Sequence, residues 1–261
     1  MATIERVAPP GSLAHWVEHL WSVTWSLPEG EVRRSQVLTH PAVHLTVEWG
    51  PGRRHGVPLP AALVHGVVTR VFSVDLIGTG GVAGVRFRPG GFAAFTGRSA
   101  TELTDCVRPV TDDVLPDADD LVDRATAAEG TTERLAALAD ALARHTPDPD
   151  PVYDELLAVV TLMLEDPALT TVADVSSRTG LSVRTLQRSF RRYVGVGPKW
   201  VLQRYRLQDA VARLDAGEVH DLAGLAAELG WYDQAHFSRD FAESVGVPPG
   251  RYLRRSPGDA T

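Results

Sequence analysis

The run LSVRTLQRSFRRYVGVGP, from Leu181 to Pro198, carries four arginines and no acidic residue. Guanidinium groups pair bidentately with guanine edges, an amide such as that of Gln187 pairs with adenine, and both also bind phosphate. Wound as a helix at about 100° per residue, the run divides into two sides. Val183, Leu186, Phe190, Tyr193 and Val194 gather on one. Arg184, Arg188, Arg191 and Arg192 gather on the other, with Gln187 at its edge. Two readings compete: a surface that reads nucleic acid, or an ordinary solvated basic face.

Composition does not choose between them. The 261-residue chain has a net charge of −7. Residues 1–151 hold 13 Arg against 19 Asp and Glu, and residues 152–255 hold 12 Arg and one Lys against 13 Asp and Glu. No region is basic overall, so an interface with nucleic acid has to come from local clustering. Arginine is also the default cation here, since Lys199 is the sole lysine. The single cysteine, Cys106, excludes an internal disulfide and a Cys-built zinc site, which suits a reducing cytoplasm. MATIERVAPPGSLAHW has neither the basic nor the apolar region of a secretory signal. No apolar run reaches the roughly 18 residues of a membrane span. The expectation is a cytoplasmic protein with no membrane partner.

An internal repeat does choose. VADVSSRTG (172–180) returns as LAGLAAELG (222–230), and LQRSFRRYVGVGP returns as FSRDFAESVGVPP. Leu186, Phe190, Val194, Gly195, Val196 and Pro198 match Phe237, Phe241, Val245, Gly246, Val247 and Pro249. Each unit predicts a short amphipathic helix ending at a glycine, Gly180 or Gly230, then a tight turn. A second helix follows, capped by Ser182 or Asp233. That is a helix-turn-helix, present twice and joined by a longer helix over 198–217. In such motifs the N-terminal residues of the second helix reach base edges. Arg184, Gln187 and Arg188 are therefore the base-contact candidates, and Arg191 and Arg192 the phosphate contacts. The second copy offers Arg239 and Gln234 for bases. His236 either meets a phosphate or caps local packing, and Asp240 and Glu243 flank its outer face.

The elements that must position these residues follow from patterning. TPDPDP (146–151) cannot continue a helix and predicts an extended linker. Ahead of it, TTERLAALADALARH (131–145) and DADDLVDRATAA (117–128) read as helices. Leu135, Leu138, Ala139 and Leu142 line one face of the first of these. Further upstream, HLWSVTWSL, VHLTVEW and GVAGVRFRPGG alternate at period two between Pro and Gly clusters, so they read as strands. The fold class is α+β with two domains. An N-terminal β-sheet or barrel with helices spans 1–146, 147–151 links, an all-α double helix-turn-helix spans 152–255, and 256–261 is a tail.

The stretch from 152 to about 255 closely resembles the DNA-binding domain of the AraC/XylS family of bacterial transcription regulators, which is homeodomain-like. The carrying residues are VADVSSRTGLSVRTLQRSFRRYVGVGP, the bridging YRLQDAVARL, and LAAELGWYDQAHFSRDFAESVGVPPGRYLRR. Two positions depart from the family pattern. Leu253 replaces an arginine, with Arg254 one residue on, and Ala235 stands where a polar reader can occur. The resemblance implies that the two second helices enter successive major-groove segments of double-stranded DNA. It carries base contact onto Arg184, Gln187, Arg188, Gln234 and Arg239. It also implies RNA polymerase as a partner, and a first domain that binds a small effector or forms a homodimer.

For the first domain the residues leave alternatives open. Trp21 and Trp25 share a strand face that either joins the core or lines a ligand site. Arg86 and Arg88 either pair on the surface or hold an anionic effector. His44 lies opposite Val43 and Leu45, on the side of Glu48. These five, Trp21, Trp25, His44, Arg86 and Arg88, are the ligand candidates. His40, His44, His55 and His65 fall within 26 residues but on strand-like sequence, so they read as scattered histidines, with no metal and no cofactor expected. A regulator rather than an enzyme is expected. The alternatives are a sensor or scaffold with a degenerate DNA-binding domain, and DNA alkyl-transfer repair through Cys106. The latter lacks the zinc-binding cysteines and active-site motif such chemistry requires.

Overall fold

The computed structural model describes residues 3–219 and 221–254; the predicted tail at 256–261 lies outside them. Ten strands and three helices come first: β1 (Thr3–Val7), β2 (Val17–Ser26), β3 (Val32–Val37), β4 (His44–Trp49), β5 (Arg53–Arg54), β6 (Val57–Pro58), β7 (Ala61–His65), β8 (Phe72–Ile77), β9 (Thr79–Phe87), α1 (Gly91–Thr96), β10 (Val107–Pro109), α2 (Ala118–Ala127) and α3 (Thr131–Ala143). A 3-10 turn at Ala100–Leu103 separates α1 from β10. Six strands form one antiparallel sheet in the order β1-β2-β9-β4-β7-β10, while β3 pairs with β8 and β5 with β6.

The period-two alternation sorts this sheet into two faces. Leu45, Val47, Val85 and Phe87 are buried in the main core, on the face that α2 and α3 cover. Trp21, Trp25, His44, Glu48 and Arg86 point the other way, into a cavity closed over by β3 and β8. Leu135, Leu138, Ala139 and Leu142 of α3 are all buried.

After the linker come α4 (Pro151–Glu165), α5 (Val172–Thr179), α6 (Val183–Val194), α7 (Pro198–Asp215), α8 (Leu222–Glu228), α9 (Gln234–Val245) and α10 (Pro249–Tyr252). Proline opens α4, α7 and α10, where its missing N–H costs nothing. Asp150 caps α4 by accepting from the Val152 and Tyr153 amides. Thr171 and Asp174 form a reciprocal capping box on α5. Ser182 and Asp233 accept from the Thr185 and His236 amides, as their positions before the second helices require. Gly180 and Gly230 turn the chain at φ 74° and 79°.

The main core does not stop at the linker. Phe92, Phe95, Leu103 and Leu121 share it with Tyr153, Leu156, Val175, Leu186, Phe190 and Val201. A separate cluster serves the second unit: Leu207, Ala210, Leu214, Leu225, Ala226, Leu229, Trp231, Phe237 and Phe241. The predicted inner side of α6 is buried, with one correction. Val183, the first residue of the helix, is 40% exposed rather than buried. Among the described residues, no helix is long and apolar enough to cross a membrane.

Candidate DNA interface and effector cavity

On α6, Arg184, Gln187, Arg188, Arg191 and Arg192 are all exposed, while Leu186, Phe190, Tyr193 and Val194 are buried. The helix is therefore fixed by one side and presents five donors on the other. The Gly195 amide closes the end of the helix by donating to the Phe190 and Arg191 carbonyls. Two threonines of the N-terminal region dock on the same end: Thr101 Oγ1 donates to the Arg191 carbonyl and Thr104 Oγ1 to the Gly195 carbonyl at 2.8 Å. Tyr193 Oη donates to Asp150 in the linker at 2.6 Å, and Tyr153 Oη to the His15 carbonyl at 3.0 Å. The position of α6 is thus set from both sides of the linker.

On α9, Gln234, Ala235, His236 and Arg239 are exposed over buried Phe237 and Phe241. Asp240, which the sequence places at the flank, is turned inward. It accepts from Trp231 Nε1 at 2.9 Å and from Gln203 Nε2. His236 Nε2 lies 3.3 Å from the same carboxylate, so packing partners occupy this histidine, and Asp240 is held away from the outer face.

The cavity, about 380 Å³, has the size and the mixed lining of a small-molecule site. Trp21 and Trp25 line it, each lying on a glycine of the neighbouring strand. Trp21 pairs with Gly84, and Trp25 with Gly80. A Cβ at Gly84 would come within 2.8 Å of the Trp21 indole, and one at Gly80 within 3.0 Å of Trp25. The glycines of GTGGVAG are the signal in the sequence that seats these indoles, and patterning alone passes over it. Trp21 Nε1 donates to His44 Nδ1 at 3.2 Å. Burial pushes the imidazoles of His44 and His19 below their usual range and His40 down to about 3, with Arg86 acting in the same direction. All three face the cavity neutral at pH 7. Arg86 pairs with Glu18 at 2.9 Å, and its Nε is buried with no hydrogen-bond partner among the described residues. Arg88 lies outside the cavity and donates Nε–H to the Ala14 carbonyl.

Sequence reasoning missed several lining residues: Arg6, His19, Arg54 and Phe72. It also missed the junction with the bridging helix. Arg204 is 1% exposed, stacks on Trp200 and donates to the Thr69 carbonyl at 3.1 Å. Gln208 donates to the Thr39 carbonyl at 3.3 Å, and Thr39 Oγ1 donates to the Val68 carbonyl. Thr39, His40 and Val68 line the cavity. The segments touching α7 are therefore those, or the neighbours of those, that wall the cavity.

Comparison with known proteins follows the same division. Residues 175–255 match a family model described as a helix-turn-helix domain, and residues 5–109 match a domain of unknown function, DUF6597. Two curated relatives, described as AraC-like transcription regulators, come from Streptomyces lividans and Streptomyces antibioticus. They are 35% and 33% identical over 106 residues, 40% of this chain. The matched stretch spans about a third of the length of these relatives (34%). Crystal structures of ToxT from Vibrio cholerae align over most of the chain. An apo form gives 12% identity and a TM-score of 0.44, covering 90% of this chain and 96% of that one. A form bound to an unsaturated fatty acid gives 9% and 0.43, covering 100% and 97%. Residues 175–255 thus match a helix-turn-helix domain and residues 5–109 a DUF6597 domain ahead of it, and this chain is similar over 106 residues to AraC-like transcription regulators.

Proposed function

We propose that this protein is a sequence-specific, DNA-binding transcription regulator. The observation that carries the reading is the two-sided α6. Five polar or cationic side chains stand exposed on one side, the other is buried, and the same frame returns in α9. Arg184, Gln187 and Arg188 read bases, Arg191 and Arg192 hold phosphates, and Arg239 and Gln234 extend the footprint. The 18-residue α7 spans about 27 Å. That is the scale of the roughly 34 Å between adjacent major-groove segments. His236, tied to Asp240, contributes less to phosphate binding than the sequence suggests. RNA polymerase as a partner follows from the family resemblance.

The cavity takes a small organic effector in this reading. Its walls are largely aromatic and apolar, and the guanidinium of Arg86 lines it as a cation suited to an anionic group on the ligand. Occupancy acts on Thr39, His40 and Val68, and through them on α7, whose position sets the spacing of α6 and α9.

Selection of bound DNA from a random pool tests the reading. A motif of two half-elements about one helical turn apart is expected, and pools that enrich no motif would sink it. Arg192→Ala should lower the slope of log affinity against log salt by about one while keeping the motif.

A further inference from the structure

One corner of the cavity holds a cluster that neither base reading nor the aromatic walls use. Glu48 on β4 and His65 on the adjacent β7 are both buried, at 3% and 8% exposure. His65 Nε2 lies 2.9 Å from Glu48 Oε1, and Thr46 Oγ1 is 3.1 Å from each of those atoms. His55 arrives from another element, the tip of the β5–β6 hairpin. Its ring meets that of His65 edge to face, with centroids 5.1 Å apart. One donor atom from each of Glu48, His55 and His65 falls within 4.8 Å of the others.

The hairpin turn does not by itself single out histidine at this place. His55 and Gly56 form its two-residue turn at φ 51° and 78°, the combination that favours Asn, Asp or Gly. Asparagine would serve the turn alone. Histidine serves it less well and brings an imidazole to the buried Glu48–His65 pair.

We propose that Glu48, His55 and His65 bind one divalent transition-metal ion of zinc-like softness. Two imidazole nitrogens and one carboxylate oxygen suit such ions, whereas calcium and magnesium call for oxygen-rich shells. Arg54 donates Nη1–H to Glu48 Oε2 at 2.8 Å. That contact occupies one carboxylate oxygen and leaves Oε1 turned to the imidazoles, the orienting role an outer-shell partner plays. Thr46 supports the same oxygen. The ion replaces the His65–Glu48 hydrogen bond with two coordinate bonds. Three protein donors leave at least one position for an exogenous donor. Because all three residues line the cavity, that donor comes from its contents.

This inference does not depend on DNA binding, and either can fail without the other. The test uses the untagged full-length protein, stripped with a chelator and dialysed. Zn²⁺ is titrated calorimetrically, and Co²⁺ is followed by its visible absorption. One ion per chain is expected, with Co²⁺ bands that Zn²⁺ abolishes. His55→Gln, at a hairpin tip and checked for folding by circular dichroism, should weaken Zn²⁺ at least tenfold and remove the bands. His236→Gln on α9 should leave both unchanged. The absence of binding at micromolar Zn²⁺, or a His55→Gln titration that overlays the wild type, overturns the proposal.

Discussion

Gly195 and Gly246 occupy equivalent places in the two helix-turn-helix units, and both end their helix in the left-handed conformation, at φ 94° and 89°. Their surroundings differ. A Cβ on Gly195 would lie 2.8 Å from the Ala100 carbonyl, in the 3-10 turn of the N-terminal domain. On Gly246 the nearest atom would be the Gln36 side chain at 3.5 Å, an ordinary contact. The same contrast runs through the units. Phe190 is buried in a core shared with the N-terminal domain, and Phe241 in a small core of its own. Copy one keeps four exposed arginines, and copy two keeps Arg239. The repeated frame is what folding requires; what differs between the copies is docking and charge. We read unit one as the anchored, high-affinity reader, and unit two as the piece whose placement α7 adjusts.

That comparison can be broken. The largest effects should come from Phe190→Ala and Phe241→Ala, each costing about 3–5 kcal/mol. Phe190→Ala should lower the main unfolding transition. Phe241→Ala should detach the second unit alone, seen as hydrogen exchange confined to α8 and α9. A single shared transition for both variants would dissolve the distinction. Next, Gly246→Ala should cost about 1–2 kcal/mol, the left-handed penalty alone. Gly195→Ala should exceed it by about 1–3 kcal/mol, because the 3-10 turn must shift as well. Urea midpoints measure both, and equal losses would show that the docking contact adds nothing.

On DNA, Arg188→Ala should cost about 1–3 kcal/mol and relax the preference at one base. Its counterpart Arg239→Ala should cost less. A titration against the selected site decides, and the reverse order would move the main reader to α9. The smallest effect concerns the junction. Unfolded His40 takes a proton near pH 6.5, while in the fold burial delays this to about 3. Stability should therefore fall as pH drops from 6.5 towards 3 and be untouched above 6.5. By pH 5 the loss from His40 should be on the order of 1–2 kcal/mol. Urea midpoints of wild type and His40→Gln across that range should converge above 6.5 and diverge below it.

Much of this was legible in the chain. The buried frame of each unit, its caps at Ser182 and Asp233, and the exposed face of α6 follow from spacing, because a helix fixes its faces locally. The strand alternation likewise put His44 beside Glu48 and opposite Leu45. What patterning could not give was which sheet face is core. Trp21 and Trp25 look apolar enough for either, and only the α2–α3 layer on the opposite face leaves them to the cavity. His55 and His65 were both visible as histidines. Strand pairing and a hairpin fold-back, contacts between residues distant in sequence, were needed to bring them to Glu48. Asp240 reads from the sequence as a flank of the outer face of α9, and only the tertiary contacts with Trp231 and Gln203 turn it inward.

By itself, then, the sequence determined the local geometry of two helix-turn-helix units and the charge each presents, since both depend on residues within a few turns of one another. The tertiary structure decided that the units are held differently. Thr101 and Thr104 reach the end of α6 across some ninety residues of chain, and Thr39 and Thr69 meet α7 across still more. No periodicity encodes such contacts, because they depend on where the sheet and the helices come to rest against each other.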